Sequence, residues 1–239
     1  MTTPARWLGF FGKLPAQADF VGRGLPPDVQ AAFDEALSQW LARRRADDAA
    51  GWLQAYLDSP AWRFVWPAGS GPGALAGQDC AGVLLPSVDA VGRYFPLLLA
   101  VGLPPGSLPA QPLGELLERL AALEALGFQA LDEEWQPDAL QAALAEVPLA
   151  AWPVVPEVAA VEGDLAADWP AADLVTGLDA LARRAWLAQQ AGQAFWWSHT
   201  EAWRPCLLST PGVLGDDLPG RLFGLQGLAA ADLPLSSGQ

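Results

Sequence analysis

Two apolar runs, Cys80 to Leu85 and Tyr94 to Val101, are separated by only a short polar segment, and that spacing constrains the fold most. Each run reads as a strand, and the segment between them is short enough for the pair to form an antiparallel hairpin. The remaining elements do not alternate strand and helix strictly, which disfavours a Rossmann-type parallel sheet. Trp7 to Phe11 is a short apolar run ending at Gly12, a buried strand in character, and a turn-rich stretch follows it. Pro26-Pro27 suits the first turn of a helix, and Phe33, Leu37, Trp40 and Leu41 continue it at amphipathic spacing. Trp52, Leu53, Tyr56 and Leu57 predict a second helix, stopped by Pro60.

Farther along, Trp62 to Trp66 reads as a strand, while Ala68 to Gly77 and Pro104 to Pro112 read as loops. Leu116, Leu117, Leu120, Leu123 and Leu126 predict a helix face, with Gly127 as its end. Another helix is expected from Pro137 to about Val147. Ala150 to Pro170 has prolines and no period, so it reads as irregular and is the best place for a boundary. Leu174, Leu178, Leu181 and Ala185 predict a further helix with Gly192 as its stop. Phe195 to Ser198 and Pro205 to Ser209 read as the last strands, and a short helix near Leu218 to Leu225 closes the chain. The expected fold is α/β of the α+β kind: a mixed, mainly antiparallel sheet with helices packed on it. It is expected to form one domain over residues 1–239, with a possible subdivision near 150–170, unless the last strands simply return to the first sheet.

Composition narrows the function. Of 239 residues, 52% are hydrophobic, enough for a real core. The net charge is −14, and the basic cluster Arg43, Arg44 and Arg45 runs straight into Asp47 and Asp48. That cluster reads as a solvated helix end beside the C-terminal dipole, so no nucleic-acid partner is expected. Strong acidity favours a basic patch on a partner. The first residues, MTTPARWLGFFGKLP, lack the order of a signal peptide. The longest apolar run, Leu97 to Leu103, is far shorter than the about 20 residues a membrane span needs, so no direct membrane insertion is expected. Cys80 and Cys206 read as reduced, buried thiols, which fits a cytoplasmic protein.

The familiar catalytic templates fail. A triad would have to use His199, the one histidine, at an expected strand end after Trp196, Trp197 and Ser198, and there is no Gly-x-Ser-x-Gly elbow. One histidine and two distant cysteines lack zinc spacing, and no calcium loop occurs, so no metal or cofactor is expected. The acid clusters Asp132-Glu133-Glu134 and Asp216-Asp217 read as solvated or capping groups. Gly12-Lys13 is followed by Leu14-Pro15 rather than the Ser or Thr of a phosphate loop. Most of the 12 tryptophans sit at periodic apolar positions and read as core. Trp196 and Trp197 are adjacent on a strand and must face opposite sides.

Two segments stand apart. GFFGKLPAQADFVGRGLP, Gly9 to Pro26, has glycines for unusual backbone angles, charges at Lys13, Asp19 and Arg23, and an apolar anchor at Phe20 and Val21. Lys13 is the only lysine among 13 basic residues, a hint that the position wants a compact ammonium. PSVDAVGRYFP, Pro86 to Pro96, joins the two hairpin strands and carries Ser87, Asp89 and Arg93. Those three either hold the turn together or form a polar triad displayed at a sheet end, and both readings stand at this level.

These segments, with SPAWRFVW (Ser59 to Trp66), AGVLLPSVDAVGRYFPL (Ala81 to Leu97) and FWWS (Phe195 to Ser198), resemble the TagF family of type VI secretion-associated proteins. The motifs occur in order over most of the chain, and those from Gly9 to Leu97 are the specific ones. The resemblance implies a cytoplasmic, non-enzymatic protein that restrains type VI secretion after translation. It implies binding to a forkhead-associated-domain scaffold protein, opposing or bypassing the threonine kinase and phosphatase pathway that triggers assembly. It also implies an α/β sandwich of longin-like type. Some relatives carry a fused phosphatase domain, which this sequence lacks. The candidate interaction residues are Lys13, Asp19, Phe20, Arg23, Ser87, Asp89, Arg93, Trp197 and Ser198. The rival expectation is a nucleotide or phosphate site, or an enzyme, with Lys13, Asp89 and Arg93 converging around one open cleft.

Overall fold

A computed structural model of the protein describes residues 6–71, 73–108, 113–147, 159–161, 164–166, 192–200 and 203–211. The elements run β1 (Trp7–Gly12), β2 (Val21–Arg23), α1 (Pro27–Asp47), α2 (Trp52–Leu57), β3 (Trp62–Trp66), β4 (Asp79–Leu85) and β5 (Leu97–Leu103). They continue with α3 (Leu113–Asp132), α4 (Pro137–Ala145), β6 (Ala159–Val161), β7 (Asp164–Ala166), β8 (Gln193–Thr200) and β9 (Trp203–Pro211). Seven strands form one sheet in the order β2-β1-β5-β4-β3-β8-β9, and every described ladder is antiparallel.

The expected hairpin is its centre: β4 and β5 pair from Asp79↔Leu103 to Leu85↔Leu97, and all residues of both strands are buried. Strands buried on both faces read as continuous apolar runs, which is why these two stood out in the sequence. The return strand starts at Leu97 rather than Tyr94. Tyr94 and Phe95 belong to the connecting turn, through a bridge between Val88 and Tyr94 and a Phe95 amide bond to the Ser87 carbonyl (3.2 Å), and Pro96 has no N–H to extend the ladder. The last strands do return to the first sheet, β8 pairing with β3 through Phe64↔Trp196. Pro205 and Pro211 are tolerated in β9 because that strand lies at the edge.

Strand alternation splits the core in two. One face carries Trp62, Phe64, Trp66 and Trp196 and is covered by Val29, Phe33, Leu37, Trp40 and Leu41 of α1. The other carries Phe10, Val83, Leu85, Leu99 and Val101 and is covered by Leu116, Leu120 and Leu123 of α3 and by Leu140 and Leu144 of α4. Trp196 is fully buried on the first face, and Trp197 is half-buried against the second, the split that adjacent strand positions require. Arg63, pointing to the second face, forms a forked ion pair with Glu124 of α3 at 2.8 and 3.2 Å, tying helix to sheet. Helix α1 starts with Pro27 and Asp28 and ends with Arg44 and Arg45. Arg44 lies 3.7 Å from Asp48 and Arg45 covers the Trp52 ring at 4.4 Å, so two of the three clustered arginines finish a helix.

Four expectations change. Gly127 lies inside α3, which runs to Asp132; a Cβ at 127 would sit 2.9 Å from Leu85 Cδ1, so the glycine lets the helix pack close to β4. The helix instead ends at Asp132 and the chain turns away at Glu134, which takes φ 50°, with the Trp135 amide bonded to the Ala130 carbonyl at 2.9 Å. The turn-rich stretch after β1 contains the short edge strand β2, and the loop 68–77 contains a 3-10 turn at Gly73–Gly77. Within the expected irregular stretch, β6 and β7 form a two-stranded ladder from Ala159↔Ala166 to Val161↔Asp164. The helices expected at 174–185 and 218–225 lie outside the described residues, as do Asp216 and Asp217.

Candidate functional site

The two unusual segments meet at one end of the sheet. The chain leaves β1 at Gly12, whose φ of 139° suits glycine and where a Cβ would fall 2.1 Å from the Pro96 carbonyl oxygen. Lys13 therefore turns inward beneath the loop. Its side chain is 4% exposed, its ammonium hydrogen-bonds Asp89 Oδ2, and its carbonyl accepts the Ser87 hydroxyl at 2.7 Å. Asp89 organises its own turn. Its Oδ1 accepts the Val91 amide (3.1 Å) and the Arg93 amide (2.8 Å), and its Oδ2 also accepts Arg93 Nε (2.7 Å). Gly92 completes the turn at φ 82°, its amide donating to the Asp89 carbonyl at 3.0 Å.

Backbone contacts then stitch the segments together. The Ala90 amide donates to the Gln17 carbonyl at 2.9 Å, and Arg93 Nη2 donates to the Ala18 carbonyl. From below, the Tyr56 hydroxyl accepts the Ser87 amide (2.8 Å) and donates to the Ser87 carbonyl (2.9 Å). Burial pushes that phenol's pKa up, so it stays protonated and keeps both bonds. On top, the Phe20 ring stacks on Phe11 (centroids 5.8 Å) and meets Phe95 edge-on (4.8 Å), with Lys13 Nζ 4.5 Å from its centre.

Electrostatically, burial alone pushes the Asp89 carboxyl up, but the hydrogen bonds from Lys13, from the Arg93 amide and guanidinium and from the Val91 amide outweigh it. They hold the group well below the usual carboxylate range, so Asp89 is ionised throughout the neutral range. The expected convergence of Lys13, Asp89 and Arg93 is thus real, but the three groups pair with one another. An open phosphate cleft requires Lys13 to face a ligand, whereas its ammonium faces a carboxylate with a fully covered side chain. This network can hold two loops in one shape; it does not present a nucleophile or a free general base.

The other candidate residues divide by exposure. Lys13, Ser87, Asp89 and Ser198 are buried, so none of them can touch a partner directly in this conformation, and the buried Ser198 hydroxyl has no hydrogen-bond partner among the described residues. Trp197 is half-buried in the second core face. Asp19, Phe20, Arg23 and Arg93 are exposed. Asp19 accepts the Phe20 amide at 2.8 Å, and Arg23 lies 3.8 Å from Asp138 of α4. Sequence reasoning missed Tyr56, Phe11 and Phe95 as supports. Their signal was compositional at best: the chain has only two tyrosines, and both, Tyr56 and Tyr94, pack here with centroids 6.0 Å apart. His199 lies near the end of β8 and Cys206 within β9, with side chains outside the described set; Cys80 is buried and free. Among the described residues, no group of three or more His, Cys, Asp or Glu side chains is placed to hold a metal ion. No described helix is long and apolar enough to cross a membrane.

Fold and site together define an open antiparallel α+β protein whose signature residues weld two loops rather than line a catalytic cleft. Residues 9–147 match the model of the TagF N-terminal domain, type VI secretion system-associated, and the chain belongs to that family. It is also similar to the crystal structure of PA0076 from Pseudomonas aeruginosa PAO1, at 30% identity and a TM-score of 0.73, over 97% of this chain and 99% of that one. A search of proteins with curated functions found no match.

Proposed function

We propose that the protein is a non-enzymatic, cytoplasmic regulator that restrains type VI secretion after translation by binding a forkhead-associated-domain scaffold protein. The observation that carries the reading is membership of a type VI secretion-associated family across residues 9–147. The geometry supports the non-enzymatic part: Lys13, Asp89 and Arg93, the charged groups that converge, pair with one another. A binding role uses such a network well, because loops fixed before contact lose little entropy on association. The strong negative charge suits a basic partner surface.

Two measurements test the proposal together. Purified chain is titrated into purified scaffold protein, phosphorylated and unphosphorylated, and secretion is measured in a strain lacking the gene. Saturable binding and raised secretion are expected. No binding in either phosphorylation state, with secretion unchanged in the deletion strain, would sink it.

A further inference from the structure

We infer that α2 and the two signature loops form one cooperative strap, which opens as a unit while the β4–β5 ladder beside it stays formed. No partner or ligand enters this inference, so it stands apart from the binding role proposed above. Its basis is that the parts order one another. Helix α2 has six residues and buries one side chain, Tyr56. Isolated helices shorter than about 12–15 residues are marginal in water, so α2 needs outside support. The loop after β4 supplies it. The Tyr56 hydroxyl bridges the Ser87 amide and carbonyl, and the Trp52 and Tyr56 rings pack on Tyr94 with centroids 6.2 and 6.0 Å away.

The dependence also runs the other way. The buried Ser87 has the Tyr56 hydroxyl as acceptor for its amide, and its own hydroxyl carries the link to the Lys13 carbonyl. Asp89 then holds the Lys13 ammonium and Arg93, while the Ala90 amide and Arg93 reach the Gln17 and Ala18 carbonyls. Hydrogen bonds therefore run unbroken from α2 through Ser87 to the loop after β1. Losing one link strands a polar group at the next, and such mutual dependence makes residues open together. The outer residues, Ala18 to Phe20 and Ala90 to Arg93, are exposed, so water meets this unit first. The β4–β5 ladder is buried along its whole length and stops at Leu85↔Leu97, before the hairpin loop begins. Opening the strap costs none of those pairs. It uncovers Lys13, Asp89 and the Phe11 and Phe95 rings that Phe20 covers.

The test is native-state hydrogen exchange of the full chain at rising, sub-denaturing urea. The reporters are the Ala55 and Asp58 amides at α2, the Ala90 and Gly92 amides in the hairpin turn and the Gln17 amide in the first loop, all hydrogen-bonded in the closed form. They should share one opening equilibrium, at least about tenfold more favourable than that of the β4–β5 ladder. Tyr56→Phe deletes the acceptor of the buried Ser87 amide and should speed exchange at every reporter by one common factor of about tenfold. Ser87→Ala cuts the link to Lys13 from the loop side and should speed Ala55 and Asp58 as well, which keeps the test valid should Tyr56→Phe fold poorly. Val83→Ala weakens the sheet, which remains formed when the strap opens. It should speed the β4–β5 amides and leave the strap reporters within about twofold. Acceleration confined to α2 in Tyr56→Phe, or to the loops in Ser87→Ala, overturns the inference. Strap exchange that matches the β4–β5 ladder, or that rises with it in Val83→Ala, overturns it too.

Discussion

Replacing Asp89 by alanine strands the ammonium of Lys13, whose side chain is 4% exposed, and takes the acceptor from the Val91 and Arg93 amides. Removing one partner of a buried ion pair costs roughly 3–5 kcal/mol. The lower end applies here. The Asp89 side chain is fully covered, but its cover is thin: Arg93 is 57% exposed and Phe20 44%, so water can reach the freed groups with a small shift. A loss of about 3 kcal/mol is a large share of the 5–15 kcal/mol that holds a typical domain together. With a denaturant slope of about 3 kcal/mol/M, suited to a chain of this size, the urea midpoint falls by roughly 1 M. Tryptophan fluorescence reports the transition. Lys13→Met leaves Asp89 its Arg93 and amide partners, so it costs less, about 1–2 kcal/mol. The double variant should recover at least about 1 kcal/mol relative to the sum of the single losses. Single losses that add within about 0.5 kcal/mol mean that Lys13 and Asp89 do not act as a pair, and the account of the welded loops is then wrong.

Other expectations follow from the same geometry. Asp89 has a folded-state pKa below its unfolded value, so its stabilisation is complete above the ordinary carboxylate range and is lost as pH falls toward the folded value; Asp89→Asn should flatten that part of the acid limb in a pH series of urea melts. Gly82→Ala places a Cβ 2.2 Å from the Leu99 carbonyl and 2.8 Å from the Phe64 ring, and should lower stability by about 1–3 kcal/mol in thermal melts. Glu134→Gly relieves a positive φ at the end of α3 and should raise stability by about 0.5–1 kcal/mol, visible as a higher melting temperature.

The sequence exposed its local chemistry and concealed its distant pairings. The central hairpin was legible because β4 and β5 are apolar on both faces, and the split of Trp196 from Trp197 follows from strand geometry alone. Asp89 with Arg93 was legible as a turn device because they are only four positions apart. Lys13 with Asp89 was not, since they lie 76 positions apart and only β1 beside β5 brings them together. The single lysine is buried, its ammonium between a carboxylate and the Phe20 ring. Gly127 misled because glycine signals a helix end locally, whereas here it serves a close approach to Leu85. The edge strand β2 escaped because a three-residue strand is defined by its partner, through Phe10↔Arg23, and not by its own period.

The family match ends at Val147, but the sheet does not. Strand β8 pairs with β3 through Arg63↔Trp197 and Val65↔Phe195, which turns β3 from an edge into an interior strand. Trp196 closes the aromatic row with Phe64 and Trp66, each ring centroid 5.3 Å from its own. A chain cut after Val147 keeps the welded loops and the core-covering helices α1, α3 and α4, but it uncovers that row and frees the β3 edge. Burial of a single tryptophan of about 200 Å² at about 25 cal/mol/Å² is worth about 5 kcal/mol, comparable to the whole stability of a marginal domain. The fragment of residues 1–147 is therefore expected to unfold at markedly lower urea than the full chain, and to self-associate through the exposed strand. The full chain should melt in one transition, with Trp196→Ala shifting that transition as a whole. A fragment whose midpoint equals that of the full chain, or a Trp196→Ala melt with a separate early phase, means that residues 192–211 are an accessory to the domain and not part of its core.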